Sequence, residues 1–236
     1  MLSQTVALMP GDAWIVHALN SWVGSAPRFD NILHLLNGNP LLKGIPFVTL
    51  LWWLGGQERQ NGAYEVGFLA RSLGGLLCAL VVARILQNHG PEHLRPISDP
   101  TLGLRAFMEN DPNYFQKLNS FPSDHAVIFF ALSLAIFARR AKIGLAAFAW
   151  SFFFICLPRV YFGYHYPSDI LAGAALGVAI MAAFIYVPVP SFIGRKIERF
   201  SELYPGIPHG AMFVVSAESA VNFDHLRDLL VAFGLR

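Results

Sequence analysis

The sequence predicts an all-α integral membrane helical bundle, and three observations carry that prediction. Hydrophobic residues make up 55% of the chain and charged residues 14%, with a mean hydropathy of +0.47. Soluble domains carry about 25% charged residues. Apolar runs of bilayer scale recur along the chain, and tryptophans and basic residues collect at their ends, as they do at membrane interfaces. The expected organisation has an interfacial amphipathic segment over residues 1–38, a transmembrane bundle over 39–190 and a small soluble tail over 191–236. The bilayer is therefore the expected surroundings. A formal net charge of +2 and the lack of any dense basic run give no nucleic-acid footprint.

In the first segment, Trp14, Ile15, Ala18, Leu19 and Trp22 recur at helical spacing between Asp12 and Val23. That stretch is too short to span and rich in Trp, which predicts a helix lying in the interface. Phe29 to Leu36 has the same character, and the first ten residues lack the positive start of a signal peptide. About five spans are expected to follow. They are Leu41–Gly56, with Lys43 snorkelling at one end, then Val66–Leu86, Ser123–Ala138, Ile143–Leu157 and Ile170–Val187. The last has 18 uncharged residues, about 27 Å of helix. Its Gly173 and Gly177 would admit a close neighbour. Cys78 and Cys156 lie within apolar runs and read as packing residues. Beyond Ser201 the composition turns soluble, with a strand expected over Gly210–Ala217 and an amphipathic helix over Asp224–Phe233.

The connections are of two kinds. Arg139, Arg140 and Lys142, and later Arg195, Lys196 and Arg199, make one set basic, which the positive-inside rule places in the cytoplasm. The other set, Gln87–Phe121 and Pro158–Ser168, falls on the opposite face and collects the chemistry. Arg159, His165 and Asp169 lie within eleven residues there. Asp169, in the first turn of a helix started near Pro167 and Ser168, is close enough in sequence to orient the His165 ring and leave its other nitrogen as nucleophile. Ser123 or Asp124 reads as a helix N-cap beside His125, a ready place for phosphate with a proton donor at its mouth. Arg95 is followed by Pro96, which would stiffen the chain that aims its guanidinium.

Each signal alone has an ordinary reading, such as a headgroup arginine or a chance histidine at a cap. Together Arg95, Ser123, His125, Arg159, His165 and Asp169 fall at span ends on one face. The set lacks the clustered carboxylates that Mg²⁺ or Ca²⁺ favours. His89 and His93 have the spacing of a zinc pair, but Pro91 between them disfavours the helix they would need. No metal or cofactor is expected.

Arg95-Pro96, Pro122-Ser123-Asp124-His125 and the run from Arg159 through His165 to Asp169 resemble the three-part signature of the type 2 phosphatidic acid phosphatase superfamily, over about residues 66–188. The resemblance implies a metal-independent phosphatase acting on a lipid phosphate. His165 would attack phosphorus, Asp169 would orient it, His125 would protonate the leaving group, and Arg95, Ser123 and Arg159 would hold the phosphoryl oxygens. Two positions depart from the pattern. Asn88 stands where the signature has a lysine, and Pro158 where it has a serine. Arg84, one helical turn before Asn88, is the first substitute for the missing cation, with Lys117 and Arg105 as others. The Asp within Pro-Ser-Asp-His and the short amphipathic N-terminus resemble the bacterial undecaprenyl-diphosphate phosphatase branch. That resemblance implies a plasma-membrane protein with its site toward the outer face. A lipid phosphotransferase and a non-catalytic phosphate-binding membrane protein are the alternatives.

Overall fold

The structure, a computed structural model, describes residues 9–57, 66–90, 92–107, 119–188, 196, 199–200, 203–204, 206–221 and 223. Lys117, Arg195 and the expected helix over Asp224–Phe233 lie outside them. Among the described residues there are helices and turns and no strand. The principal elements are α1 (Asp12–Asn20), α2 (Pro27–Gly38), α3 (Pro40–Lys43), α4 (Ile45–Gln57), α5 (Val66–His89), α6 (Asp124–Arg139), α7 (Ala141–Trp150), α8 (Leu157–Tyr161), α9 (Pro167–Tyr186) and α10 (Gly206–Ala220). A π-helical stretch, Ser151–Cys156, joins α7 to α8 as one continuous run.

Among the described residues three helices are long and apolar enough to cross a bilayer: Gly67–His89, Ala141–Tyr161 and Pro167–Tyr186. The first and third of the five expected spans are helical but shorter. α4 is shortened because Gly44 separates it from α3, at a point where Gly44 meets the Ala220 backbone. α6 has 16 residues and is the buried centre of the bundle, with Ile128, Phe129, Leu132 and Ile136 inaccessible to solvent.

α6 is held against α9 by backbone proximity. A Cβ on Gly173 would stand 2.6 Å from the Ser123 carbonyl oxygen, and one on Gly177 would overlap the Val127 carbonyl. Only hydrogen fits there. Further along, α9 packs on α5, where Gly75 takes Phe184 and Met181. Arg71 closes this pair at the far end by donating to the carbonyls of Ile185 and Val187, which α9 leaves exposed as it ends.

The fourth span continues to Tyr161, so Arg159 stands on a helix and not in the connection where the sequence placed it. α9 starts at Pro167, as expected, but its N-cap is Tyr166, two residues before the expected Ser168. Ser168 is instead tied to α1: Asp12 accepts from its backbone N–H at 3.1 Å and from its hydroxyl. The segment Gly206–Ala220 is a helix and not a strand with loop. Met212, Ser216 and Ser219 recur at helical spacing on its buried face, and Trp52 donates to Ser216 Oγ at 3.0 Å. α10 thus packs on the bundle through α3, α4 and α5.

α1 and α2 have inverted amphipathicity. Their polar residues Asp12, Asn20, Asp30 and Asn37 are buried against the bundle, while Trp14, Trp22, Phe29 and Ile32 face outward. The apolar face read from the sequence is real, and it points away from the protein. Such a face is satisfied by lipid, and the buried polar face has hydrogen-bonding work to do.

Candidate active site

Helix ends make the site. The C-terminal ends of α5 and α8 and the N-terminal ends of α6 and α9 meet at one end of the bundle, joined by the turns after Tyr161 and before Ser123. After α8 the chain reverses through Gly163, whose φ of +72° suits glycine. The N–H groups of Tyr164 and His165 fold back on the Arg159 carbonyl at 2.7 and 3.3 Å. Arg159 and His165 are thereby fixed relative to each other by backbone. The Gly163 carbonyl accepts from Ile97 N–H at 2.8 Å, which brings the Arg95-Pro96 turn onto the same reversal.

His165 is 2% exposed, and its partners determine its tautomer. Nε2 lies 3.3 Å from Arg95 Nη1, and a guanidinium can only donate. Nε2 therefore carries the lone pair and Nδ1 the proton. Nδ1 lies 3.0 Å from the Ser120 carbonyl oxygen, an obligate acceptor, and 3.5 Å from Asp169 Oδ2. Burial holds the His165 imidazole down at about 4, with the Arg95 charge adding to the effect and the Asp169 carboxylate opposing it. At neutral pH the ring is uncharged, and its Nε2 lone pair points at a guanidinium.

Asp169 is fully buried. Its Oδ2 accepts from Ser120 Oγ at 2.6 Å and from Tyr166 N–H at 2.8 Å, and its backbone carbonyl accepts from Ser123 N–H at 3.1 Å. One residue thus caps α9, ties α6 to α9 and stands beside the His165 ring. His93, also buried, stacks on Tyr166 with ring centroids 5.1 Å apart and places Nδ1 3.3 Å from Asp169 Oδ1. His89, its partner in the zinc spacing, is exposed at the end of α5.

Ser123 caps α6 by position, yet its side chain makes no cap hydrogen bond. The Oγ is fully buried and has no hydrogen-bond partner among the described residues. A buried hydroxyl left unused is unusual in a folded protein. Beside it on α6, His125 places Nε2 3.2 Å from Lys43 Nζ. Arg159 donates to Asn37 Oδ1 at 3.1 Å and lies 5.8 Å from the Tyr164 ring centre. Asn37 itself is oriented by donating to the Ile155 carbonyl at 2.8 Å, within the π-helical stretch.

Arg95, Ser123, His125, Arg159, His165 and Asp169 are thus brought to one end of the bundle. Of the substitutes for the missing lysine, Arg84 and Arg105 are engaged elsewhere and Lys117 lies outside the described residues. Arg84 pairs with Asp124 at 2.8 Å and donates to Gln87. Arg105 donates to the Ser21 and Val23 carbonyls, bracing the turn between α1 and α2. Lys43, read from the sequence as a snorkelling anchor, is instead 6% exposed and inside the site. Ser120 escaped the sequence reading, and His93 entered it only as half of a zinc-type spacing with His89. The signal for Ser120 was proximity to the Pro-Ser-Asp-His motif.

Among the described residues the bundle is helical, with buried histidines, arginines and an unpartnered hydroxyl gathered at one end. Residues 104–192 match the PAP2 superfamily. The chain is 37% identical over 87 residues to the bacitracin transport permease protein BcrC of Bacillus licheniformis, covering 36% of this chain and 42% of that protein. It is 33% identical over 92 residues to the undecaprenyl-diphosphatase BcrC of Bacillus subtilis (strain 168), covering 37% and 44% of the respective chains. The alignments therefore span less than half of these curated relatives. The matched family region begins after Lys43, His93 and Arg95 and contains Ser120, Ser123, His125, Arg159, His165 and Asp169.

Proposed function

We propose that this protein is a membrane phosphatase that removes the terminal phosphate of a lipid phosphate or diphosphate, with undecaprenyl diphosphate as the first candidate. The observation that carries this reading is the His165 ring, with its proton on Nδ1 and its Nε2 lone pair toward Arg95. In the proposed reaction Nε2 attacks phosphorus in line and the bond to the lipid-side oxygen breaks. His125 gives that oxygen its proton. The phosphorylated ring keeps its Nδ1 proton and is cationic, and Asp169 stands beside it as counter-charge. Water, activated by His125, then attacks phosphorus, and the P–N bond breaks to give inorganic phosphate. Arg95, Arg159 and the Ser123 hydroxyl act on the phosphoryl oxygens as charge builds there.

An apolar groove of about 530 Å³ supports a lipid substrate. Leu19, Phe29, Leu33 and Phe153 line it, along with Pro158 and Tyr161, which flank Arg159. It would hold hydrocarbon next to the cradle. The basic connections carrying Arg139, Arg140 and Lys142 favour an orientation with the site on the outer face of the plasma membrane.

The test is phosphate release by detergent-purified protein from undecaprenyl diphosphate, phosphatidylglycerophosphate and phosphatidate, with and without EDTA. Release that persists in EDTA, together with an acid-labile, base-stable phosphoenzyme lost in His165→Ala, is expected. A well-folded His165→Ala protein with full activity would refute the reading, and so would strict dependence on added Mg²⁺.

A further inference from the structure

We infer that Lys43, on a helix outside the three-part signature, supplies the phosphoryl-binding cation that Asn88 lacks. This rests on the phosphatase reading above and adds a residue to that same site.

Geometry and exposure carry the inference. Asn88 is exposed, because α5 runs unbroken to His89 and turns position 88 away from the bundle. Its neighbour Gln87 faces inward and is taken up by the Pro122 carbonyl and the Asp124 carboxylate. A lysine at 88 would therefore reach solvent and not the cradle. Arg84 is compensated by Asp124. Lys43 is brought in by a different route. Asn39 accepts from Leu41 N–H to start α3, α3 ends within one turn, and Gly44 passes close to the Ala220 backbone. That break turns the Lys43 side chain inward until Nζ is 3.2 Å from His125 Nε2.

Arg95 and Arg159 also bear on that imidazole with charge of the same sign. Convergent cations around a buried ring suit an anion between them. Nζ can only donate, so His125 Nε2 carries a lone pair in this arrangement. A phosphoryl oxygen entering beside Nζ takes over that hydrogen bond and leaves Nε2 open to a solvent proton, the state the leaving group needs.

The test measures vanadate binding by titration calorimetry on detergent-purified full-length protein, beside phosphate release on the same samples. Lys43→Met is expected to weaken vanadate binding roughly 10–100-fold, the range for a hydrogen bond to a charged group. Lys43→Arg should recover to within about threefold, since it restores the charge on a different fork. Lys142→Met, an exposed lysine at the other end of the bundle, should match wild type. Should Lys43→Met fail to give a monodisperse protein with a cooperative melt, Lys43→Gln carries the same comparison. Vanadate affinity within twofold of wild type in the folded uncharged variant overturns the inference, as does an undiminished loss in Lys43→Arg. Absence of phosphate release by wild type strikes the phosphatase reading alone, because binding is measured without turnover.

Discussion

His165 and His125 stand at the same end of the bundle, yet their surroundings differ in kind. His165 is held at both ring nitrogens, by Arg95 on Nε2 and by the Ser120 carbonyl on Nδ1, with a buried carboxylate alongside. It has one tautomer and one direction. Among the described residues, the hydrogen-bonding contact of His125 is Lys43 alone. Its ring otherwise lies against Phe129, with centroids 6.2 Å apart. A group that forms a bond to phosphorus must be fixed, whereas a group that gives a proton and later takes one must be able to change state. The two environments divide along that line.

Removing each ring gives the sharpest form of the comparison. His165→Ala is expected to lose at least ~10⁴-fold in phosphate release, as for a nucleophile without a stand-in. His125→Ala should lose roughly 10²–10⁴-fold, the range of general acid–base catalysis. The decisive measurement repeats both with an aryl phosphate, whose leaving group needs no proton. His125→Ala should then recover most of its phosphorylation rate and His165→Ala none. Equal recovery in both variants would erase the distinction between the rings.

Acidity sharpens it next. With the His165 ring held at about 4, the proposed nucleophile stays neutral well below the ordinary histidine value of about 6.5. The acid limb of kcat/KM assigned to His165 should therefore lie near pH 4. Because Arg95 lowers this value, Arg95→Gln should move the limb upward in pH as well as reducing the rate. The sign for stability follows the same shift. Between about 6.5 and 4 the unfolded chain binds a proton at this ring and the folded one does not, so stability contributed here falls as pH falls through that window. An acid limb near 6.5 that ignores Arg95→Gln would contradict the arrangement.

Both rings depend on the spacing of α6 and α9, and that spacing rests on two glycines. Gly177→Ala forces a methyl into the Val127 carbonyl. The expected cost is about 1–3 kcal/mol of stability, typical of overpacking, read as a lowered midpoint in thermal unfolding in detergent. Gly206→Ala, where the added methyl meets nothing within 4 Å, is the matched control. Equal melting of the two variants would mean the helices are not held by this approach.

The motif residues were legible because their chemistry is unusual at their positions. An Arg-Pro, a Pro-Ser-Asp-His and an Arg, His, Asp series between apolar runs have few other uses when they coincide. Gly173 and Gly177 were legible for the same reason, as small residues four apart on an apolar helix. Lys43 was hidden because a lysine at the edge of an apolar run has a common explanation, snorkelling, and nothing local shows that Gly44 breaks the helix against Ala220. α10 was misread because Met212-Phe213-Val214-Val215 is β-prone in isolation, while its helical face is defined by contacts with α3, α4 and α5. The α1 face was correctly grouped, but periodicity gives a face without giving its direction. Asp12, reaching Ser168 across 156 residues of chain, and Asn20, donating to the Tyr161 carbonyl, show that the polar side is the one turned inward.

Ser120 tests how much of the fixed character of His165 comes from a residue no motif contains. Its carbonyl takes the Nδ1 proton and its hydroxyl donates to Asp169 at 2.6 Å, so one residue serves both members of the pair. Ser120→Ala keeps the carbonyl and deletes the hydroxyl. Losing one such hydrogen bond is expected to cost roughly 3–10-fold, a smaller effect than any above, and it should fall on kcat with KM little changed because Ser120 acts through the ring and not on the phosphate. Removing the donor also strengthens the uncompensated charge of Asp169 beside the imidazole, so the His165 acid limb should rise slightly in pH. Ser120→Thr, which keeps the hydroxyl, should restore both where the added methyl is accommodated. A Ser120→Ala protein that loses affinity for vanadate while keeping kcat would place this hydroxyl on the substrate and not behind the nucleophile.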